Sequence, residues 1–149
     1  MINHGLLAKP SLYLSDFFEH NRASYYNALM RVSSGNDLAH WIRFFLNGVA
    51  QTATKGREVF RQILALRTEV EQAVLGLGKR AHTARLALNL FYRKPIINAA
   101  NLEQALSIST PTANALIKAL VELGILKEIT GQQRWRSYAF ERYLRLFLS

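Results

Sequence analysis

The chain has 149 residues, of which 50% are hydrophobic, and it carries a formal net charge of +9. That is enough apolar material for one domain or two small ones. The absence of cysteine excludes disulfides and thiolate metal sites. No segment offers about 18 apolar residues without a charge, and the opening residues lack the features of a secretory leader. We therefore expect a soluble cytoplasmic protein without a membrane span.

The positive charge is concentrated in the second half of the chain. Residues 1–79 carry nine basic and six acidic groups, whereas residues 80–149 carry ten basic and four acidic ones, which gives +3 and +6. Clustered Lys and Arg displace counterions from phosphate groups. Weak binding of DNA by the second half is therefore one hypothesis.

The first long segment predicts helices. Apolar residues at helical spacing between Phe17 and Val32 indicate a helix, and Ser15 is a candidate for its N-cap. The stretch 33–36, Ser-Ser-Gly-Asn, predicts a stop, because Gly and Asn take up the left-handed conformation that ends helices. Asp37 is then placed to cap the next helix.

No proline interrupts the chain from residue 38 to about residue 77, and apolar residues recur there at helical spacing. The pattern predicts one very long helix, or two helices that join near Thr54–Gly56. Gly76 and Gly78 are the clearest boundary signal that follows. We predict a domain junction there, which separates a helical unit at 1–78 from a second unit at 79–149.

The second unit predicts three helices. The first runs from Ala84 to Phe91 and ends before Pro95. The second is a short helix that Asn98 or Asn101 caps. The third begins with proline in its first turn, where the missing amide hydrogen costs nothing. Residues expected to face inward on the first and third helices are Leu86, Leu90, Phe91, Ala113, Leu116, Ile117, Leu120 and Val121.

A hairpin is expected after the third helix. Gly124 closes that helix, and two strands, at 126–130 and 136–140, flank a turn at Gly131. Three helices followed by such a hairpin predict a winged helix-turn-helix. The predicted fold is thus mainly α: a helical bundle, then a winged helix-turn-helix with a small two-stranded wing.

The winged helix suggests a set of candidate nucleic-acid contacts. In such folds the second helix of the helix-turn-helix enters the major groove, and wing residues contact phosphates. The candidates on this basis are Thr112, Asn114, Lys118, Arg134 and Arg136. Lys118 is the only cation on the helix, and Trp135 on the hairpin suits docking against a protein as well as stacking on a base. A structural or protein-contact role for this unit stays open.

Two segments of the chain resemble the Fic family of protein AMP-transferases. The run LYLSDFFEHNRASYY, a glycine-centred break and WIRFFLNGV are similar to the part of Fic proteins just after the catalytic motif. The later run from LSISTPTANALIKALVELGIL to RYLRLF is similar to the winged helix that follows the core in a large bacterial subgroup. The two segments stand in the family's order and together span nearly the whole chain.

The resemblance implies transfer of AMP from ATP to protein hydroxyl groups by a helical core that binds ATP and Mg²⁺. It also implies that Asn21, Arg22, Tyr25, Tyr26 and Ser33 lie near the adenine end of ATP. The family's motif, HPFx(D/E)GNGR, should stand shortly before Gly5, yet none of the four histidines is followed by Pro-Phe. We therefore expect no catalytic residue and no metal ligand in this chain, and no activity from it alone.

Three functions stay open on the sequence. In the first, the chain is the C-terminal part of a Fic AMP-transferase, whose partners are its missing N-terminal core and a target protein. Alternatively, it is a winged-helix regulator that binds DNA, or a catalytically dead interaction module. A partial core exposes apolar area, and this makes a homodimer a further expectation.

Overall fold

The structure is a computed structural model that describes residues 10–132 and 134–147. Over this part of the chain it is mainly helical, with seven α-helices and one small antiparallel sheet. The predicted mainly α class is therefore confirmed. Packing separates two compact units, Met1–Phe60 and Arg61–Ser149, and the division falls inside the longest helix.

The first unit contains two helices and the beginning of a third: α1 (Pro10–His20), α2 (Arg22–Gly35) and α3 (Leu38–Leu75). A break at Asn21 separates α1 from α2, and the Asn21 side-chain amide donates to the Phe17 carbonyl oxygen at 2.9 Å. Ser15 lies inside α1, so the prediction that it is an N-cap is wrong. The helix starts earlier because Pro10 is suited to a first turn.

The turn between α2 and α3 forms as the sequence predicts. Asn36 takes the left-handed conformation, with φ 53°, and its N–H donates to the Val32 carbonyl at 3.1 Å. The Asp37 carboxylate accepts from the His40 backbone N–H at 3.1 Å. Both predicted helix-end signals are thereby confirmed, because each satisfies a backbone group that a helix end leaves without a partner.

The long segment that follows forms one helix, α3, of 38 residues. It runs through Thr54–Gly56 without a break, which decides between the two alternatives left by the sequence. The helix ends at Leu75, and Gly78 follows with φ +59°, a value that favours glycine. The predicted junction at Gly78 thus falls just after a helix end, whereas the packing divides the chain within α3.

The second unit contains the end of α3 and eight further elements. These are a 3₁₀ turn (Gly78–Arg80), α4 (Ala81–Arg93), β1 (Ile96–Asn98), α5 (Ala99–Leu106), α6 (Thr110–Glu122), β2 (Lys127–Glu128), β3 (Ser137–Ala139) and α7 (Glu141–Arg145). The sheet order is β1-β3-β2, with both pairs antiparallel. Ile97 lies opposite Tyr138, and Lys127 lies opposite Ala139.

The hairpin of β2 and β3 is confirmed, but the sheet has three strands rather than the predicted two. The added strand, β1, lies in the connection between α4 and α5, where no strand was predicted. Its three residues are too few to show an alternating pattern, and its partner lies about 40 residues later in the chain. Pairing of this kind is a tertiary event that the local sequence does not reveal.

A local capping box fixes the start of α5. The Asn101 backbone N–H donates to Asn98 Oδ1 at 2.9 Å, and the Asn98 backbone N–H donates to Asn101 Oδ1 at 3.2 Å. This reciprocal pair is a capping box, so both asparagines named by the sequence take part. At the start of α6, the Ser109 and Thr112 hydroxyls are 2.8 Å apart. Gly124, with φ +69°, follows the end of this helix as predicted.

The core of the second unit is apolar and draws on every helix from α3 to α6. Its largest fully buried side chains are Phe91, Phe140, Leu88, Leu102, Leu116, Leu120, Val70 and Val74. Burial of each large side chain contributes on the order of 1.5–3 kcal/mol. Leu86 and Val121, which were expected to face inward, are instead 44% and 38% exposed. On α4 the buried stripe includes Leu88 in place of Leu86, so it lies further round the helix than predicted. On α6 the other predicted inward residues are buried, and only Val121 lies at the edge of the stripe.

Candidate functional site

An aromatic cluster holds the three helices of the first unit together. Phe18 contacts Tyr25 at 5.3 Å between ring centroids, and Tyr25 contacts Trp41 edge-on at 5.7 Å. Such pairs contribute about 0.5–1.5 kcal/mol beyond their buried area. The members of the cluster are Phe17, Phe18, Tyr25, Tyr26, Trp41, Phe44 and Phe45.

Gly48 allows α1 to approach α3 closely. A Cβ atom placed on Gly48 would lie 2.6 Å from Cε1 of Phe17, which is far inside van der Waals contact. The Phe17 ring also contacts Phe44 at 5.6 Å between centroids, so it packs between neighbours. Gly48 is therefore required for close packing rather than for a turn, because it lies within α3.

The residues that the Fic resemblance assigns to the adenine end all lie on α2 or just before it. Arg22 is exposed at the first residue of α2, and Ser33 is exposed in the last turns. Helical spacing places Arg22, Tyr26 and Ser33 on one face, since they are separated by four and seven residues. Tyr26 is 60% exposed, whereas Tyr25 is half-buried in the aromatic cluster and contacts the Tyr26 ring at 5.5 Å. Asn21 is engaged with the backbone of α1 instead.

The first unit buries few hydrophobic side chains. Among its described residues only Ala28 and Val59 are buried hydrophobics. An exposed apolar stripe runs along the start of α3 at helical spacing, and its members are Leu38, Ile42, Phe45, Leu46 and Val49. Contiguous exposed apolar residues are common in interaction surfaces. We call these five residues the apolar stripe.

The five predicted nucleic-acid contacts are all in the second unit, and they differ in whether another residue already pairs with them. Thr112, Asn114 and Lys118 are exposed on α6, and Lys118 pairs with Glu122 at 4.0 Å. Arg136 donates to the Gln132 carbonyl at 2.8 Å and lies 3.8 Å from Glu128. Arg134 is exposed and makes no ion pair with another described residue. Two of the three candidate cations are thus already paired with carboxylates.

A groove beside the start of α6 contains cations that the sequence analysis missed. Its volume is about 420 Å³, and its lining residues are Lys79, Arg80, Thr83, Pro111, Thr112, Ala115 and Leu116. The sequence did carry a signal, the adjacent basic pair just before a helix. What it lacked was the proximity of that pair to Thr112, which only the packing of the helices creates.

The described residues include no group of three or more His, Asp or Glu side chains that could hold a metal ion. In the same part of the chain, no helix combines the length and the apolar character that crossing a membrane requires. No family model matches the chain.

Proposed function

We propose that this chain is the C-terminal part of a Fic-family protein AMP-transferase, with a helical part of the Fic core followed by a winged helix-turn-helix. The observation that carries the proposal is the match between sequence and packing in the first unit. The aromatic residues that make this segment Fic-like, including Tyr25 and Trp41, meet in one cluster beside the exposed apolar stripe. A helical group with an uncovered apolar face suits a larger core that packs against it.

The second unit supports the winged-helix part of the proposal through its order of elements. Three helices, α4, α5 and α6, precede the β2–β3 hairpin, and β1 between α4 and α5 adds a third strand. The turn chemistry agrees, since Gly124 and Gly131 both have positive φ where the chain changes direction.

In the proposed enzyme this chain forms one side of the nucleotide pocket. The exposed Tyr26 ring offers a face for stacking on adenine, and Arg22 and Ser33 on the same helix face supply polar contacts. The described residues do not fit a Mg²⁺ site, because they lack a cluster of carboxylates. By the Fic resemblance, the catalytic histidine, the anion-binding amides and the metal ligands would be supplied by a polypeptide segment that bears the HPFx(D/E)GNGR motif.

The test uses the native protein, captured from its cell by an antibody against the winged-helix segment. Intact mass is compared with 17.0 kDa, the mass of this chain. The captured material is then incubated with ATP labelled at the α-phosphate and, in parallel, with ATP labelled at the γ-phosphate. We expect label to enter protein only from the α-phosphate, because AMP transfer retains that phosphate and releases the other two.

Variants introduced at the native locus connect the reaction to this chain. Tyr26→Ala is expected to raise KM for ATP about tenfold, the scale of a lost base-stacking contact. Ser24→Ala, exposed on the opposite face of α2, is the matched control and should leave KM unchanged. Label from the γ-phosphate alone, or no labelled protein at all, would overturn the proposal.

A further inference from the structure

Lys79 and Arg80 have no acidic partner among the described residues, whereas six other cations of the second unit do. Paired cations in this unit are Arg67 with Glu71, Lys118 with Glu122, Lys127 and Arg145 with Glu141, Arg136 with Glu128, and Arg142 with Glu69. Lys79 and Arg80 are exposed and make no ion pair with any described residue. Their charge is therefore available to a partner.

The surroundings of this pair form a groove without acidic lining. Across from the two cations lie Thr112 and Ala115 of α6, and the Thr83 hydroxyl belongs to α4 on the cations' own side. At the start of α6, the Glu103 carboxylate accepts from the Thr110 hydroxyl at 3.0 Å and does not line the groove. Ala115 is small, so an approaching backbone meets little steric resistance.

The exposed face of α6 continues from the groove. Pro111, Ala115 and Lys118 follow one another at helical spacing of four and three residues, and Asn114 lies beside them. A chain of phosphates that enters the groove at Lys79 and Arg80 would therefore pass directly along exposed polar side chains of α6. Such side chains are suited to base edges, as Asn is to adenine.

We propose that the groove is a docking site for the phosphate backbone of duplex DNA. Lys79 and Arg80 neutralise phosphates, the Thr83 and Thr112 hydroxyls donate to phosphate oxygens, and Asn114 faces the bases. Charge complementarity supports this occupant, because residues 80–149 carry ten basic and only four acidic groups. The inference goes beyond AMP transfer and does not depend on it.

The experiment measures binding of the full chain to a fluorescein-labelled duplex of about 20 base pairs by anisotropy, over roughly 50 to 200 mM salt. ATP is omitted, so a negative result here leaves the AMP-transfer proposal untouched. Lys79→Ala/Arg80→Ala is compared with Arg93→Ala/Lys94→Ala, which removes the same charge from the other end of α4. Thermal unfolding checks that both variants remain folded.

We expect the wild-type chain to bind with affinity that falls steeply as salt rises. Loss of two phosphate contacts should reduce the salt slope of log K by about 1.8 and the affinity about tenfold, whereas the control pair should change the affinity by less than about twofold. Ala115→Glu places a carboxylate in the groove without removing a cation and should weaken binding similarly. These results would assign the contact to the groove.

Three outcomes would overturn the proposal. The first is absence of duplex binding by the wild-type chain at the lowest salt. The second is an equal loss in both double variants, which would mean diffuse attraction rather than a site. The third is tighter binding to duplex RNA or to an acidic protein than to duplex DNA, which would assign the groove to a different partner.

Discussion

Glu69 on α3 and Arg142 on α7 are joined by two parallel hydrogen bonds of 2.8 and 2.7 Å, although 73 residues separate them in the chain. This fork-to-fork geometry is the strongest arrangement available to a guanidinium and a carboxylate. It links the last helix of the second unit to the end of the long helix. Both side chains are largely exposed, so the pair orients α7 more than it stabilises the fold.

This ion pair predicts a specific pH dependence. The hydrogen bonds from Arg142 hold the pKa of Glu69 below its ordinary value of 4.5. A depressed pKa means that the pair stabilises the folded state above the unfolded pKa, and that this stabilisation is lost as pH falls through the folded pKa. Glu69→Gln should therefore lower Tm slightly at pH 7 and have little effect well below pH 4.5. The measurement is Tm against pH for the wild-type protein and for Glu69→Gln. A difference in Tm that is the same at every pH would contradict the prediction that the ion pair stabilises the fold only while Glu69 is ionised.

The two glycines inside α3 should respond in opposite ways to alanine. Gly48→Ala brings a methyl group against the Phe17 ring, and such overpacking costs about 1–3 kcal/mol. At Gly56 a Cβ meets nothing within 4 Å, so alanine there should raise the free energy of unfolding by about 0.5–1 kcal/mol through helix propensity. Chemical denaturation of the two variants decides the matter, and equal effects would mean that Phe17 does not pack on Gly48.

Tyr92 carries a buried hydroxyl without a hydrogen-bond partner among the described residues. Burial raises the pKa of this phenol, while the ring contacts Phe140 and Tyr143 at 5.6 and 5.4 Å between centroids. Removal of an unsatisfied polar atom relieves its desolvation penalty, so Tyr92→Phe should raise the free energy of unfolding by about 1 kcal/mol. Tyr92→Ala, which removes the ring as well, should lower it by about 3 kcal/mol. Destabilisation by Tyr92→Phe would show that the hydroxyl has a partner.

Trp135 combines wide exposure with a strained backbone. It is 83% exposed and has φ 58°, a left-handed conformation that bulky residues avoid. Trp135→Asn keeps the turn with a residue that tolerates this conformation, so the free energy of unfolding should rise by up to about 1 kcal/mol. The change is followed by thermal unfolding, and a loss of stability would mean that the ring makes contacts important to the fold.

Features that depend on near neighbours in the chain were predicted well. The left-handed Asn36, the Asp37 cap and the Asn98–Asn101 capping box each join residues within four positions of one another. Side-chain oxygens at these spacings satisfy the free groups of a helix end whatever the rest of the fold does. The helical state of residues 38–75 and the hairpin follow from equally local patterns of apolar residues, turn glycine and missing proline, although the sequence left one helix or two as alternatives for the long segment.

Features that depend on distant residues were missed or left open. The strand at Ile96–Asn98 exists because β3 pairs with it, and Leu86 is exposed because the actual core lies on another side of α4. In the candidate sites, too, features that depend on nearby residues differ from features that depend on distant ones. Tyr26 and Arg22 could be assigned to one helix face from spacing alone, whereas the approach of Lys79 and Arg80 to Thr112 required the packed helices.

The sequence by itself determined the helical class, the turn at Asn36 and Asp37, the asparagine cap of α5 and the hairpin, because capping groups, glycine conformations and apolar periodicity act over a few residues. Tertiary structure alone decided the division of the chain inside α3, the third strand, the close approach of Phe17 to Gly48 and the lining of the basic groove. Those features arise where elements far apart in the chain meet. Their positions depend on how side chains pack in three dimensions, and no local pattern encodes that.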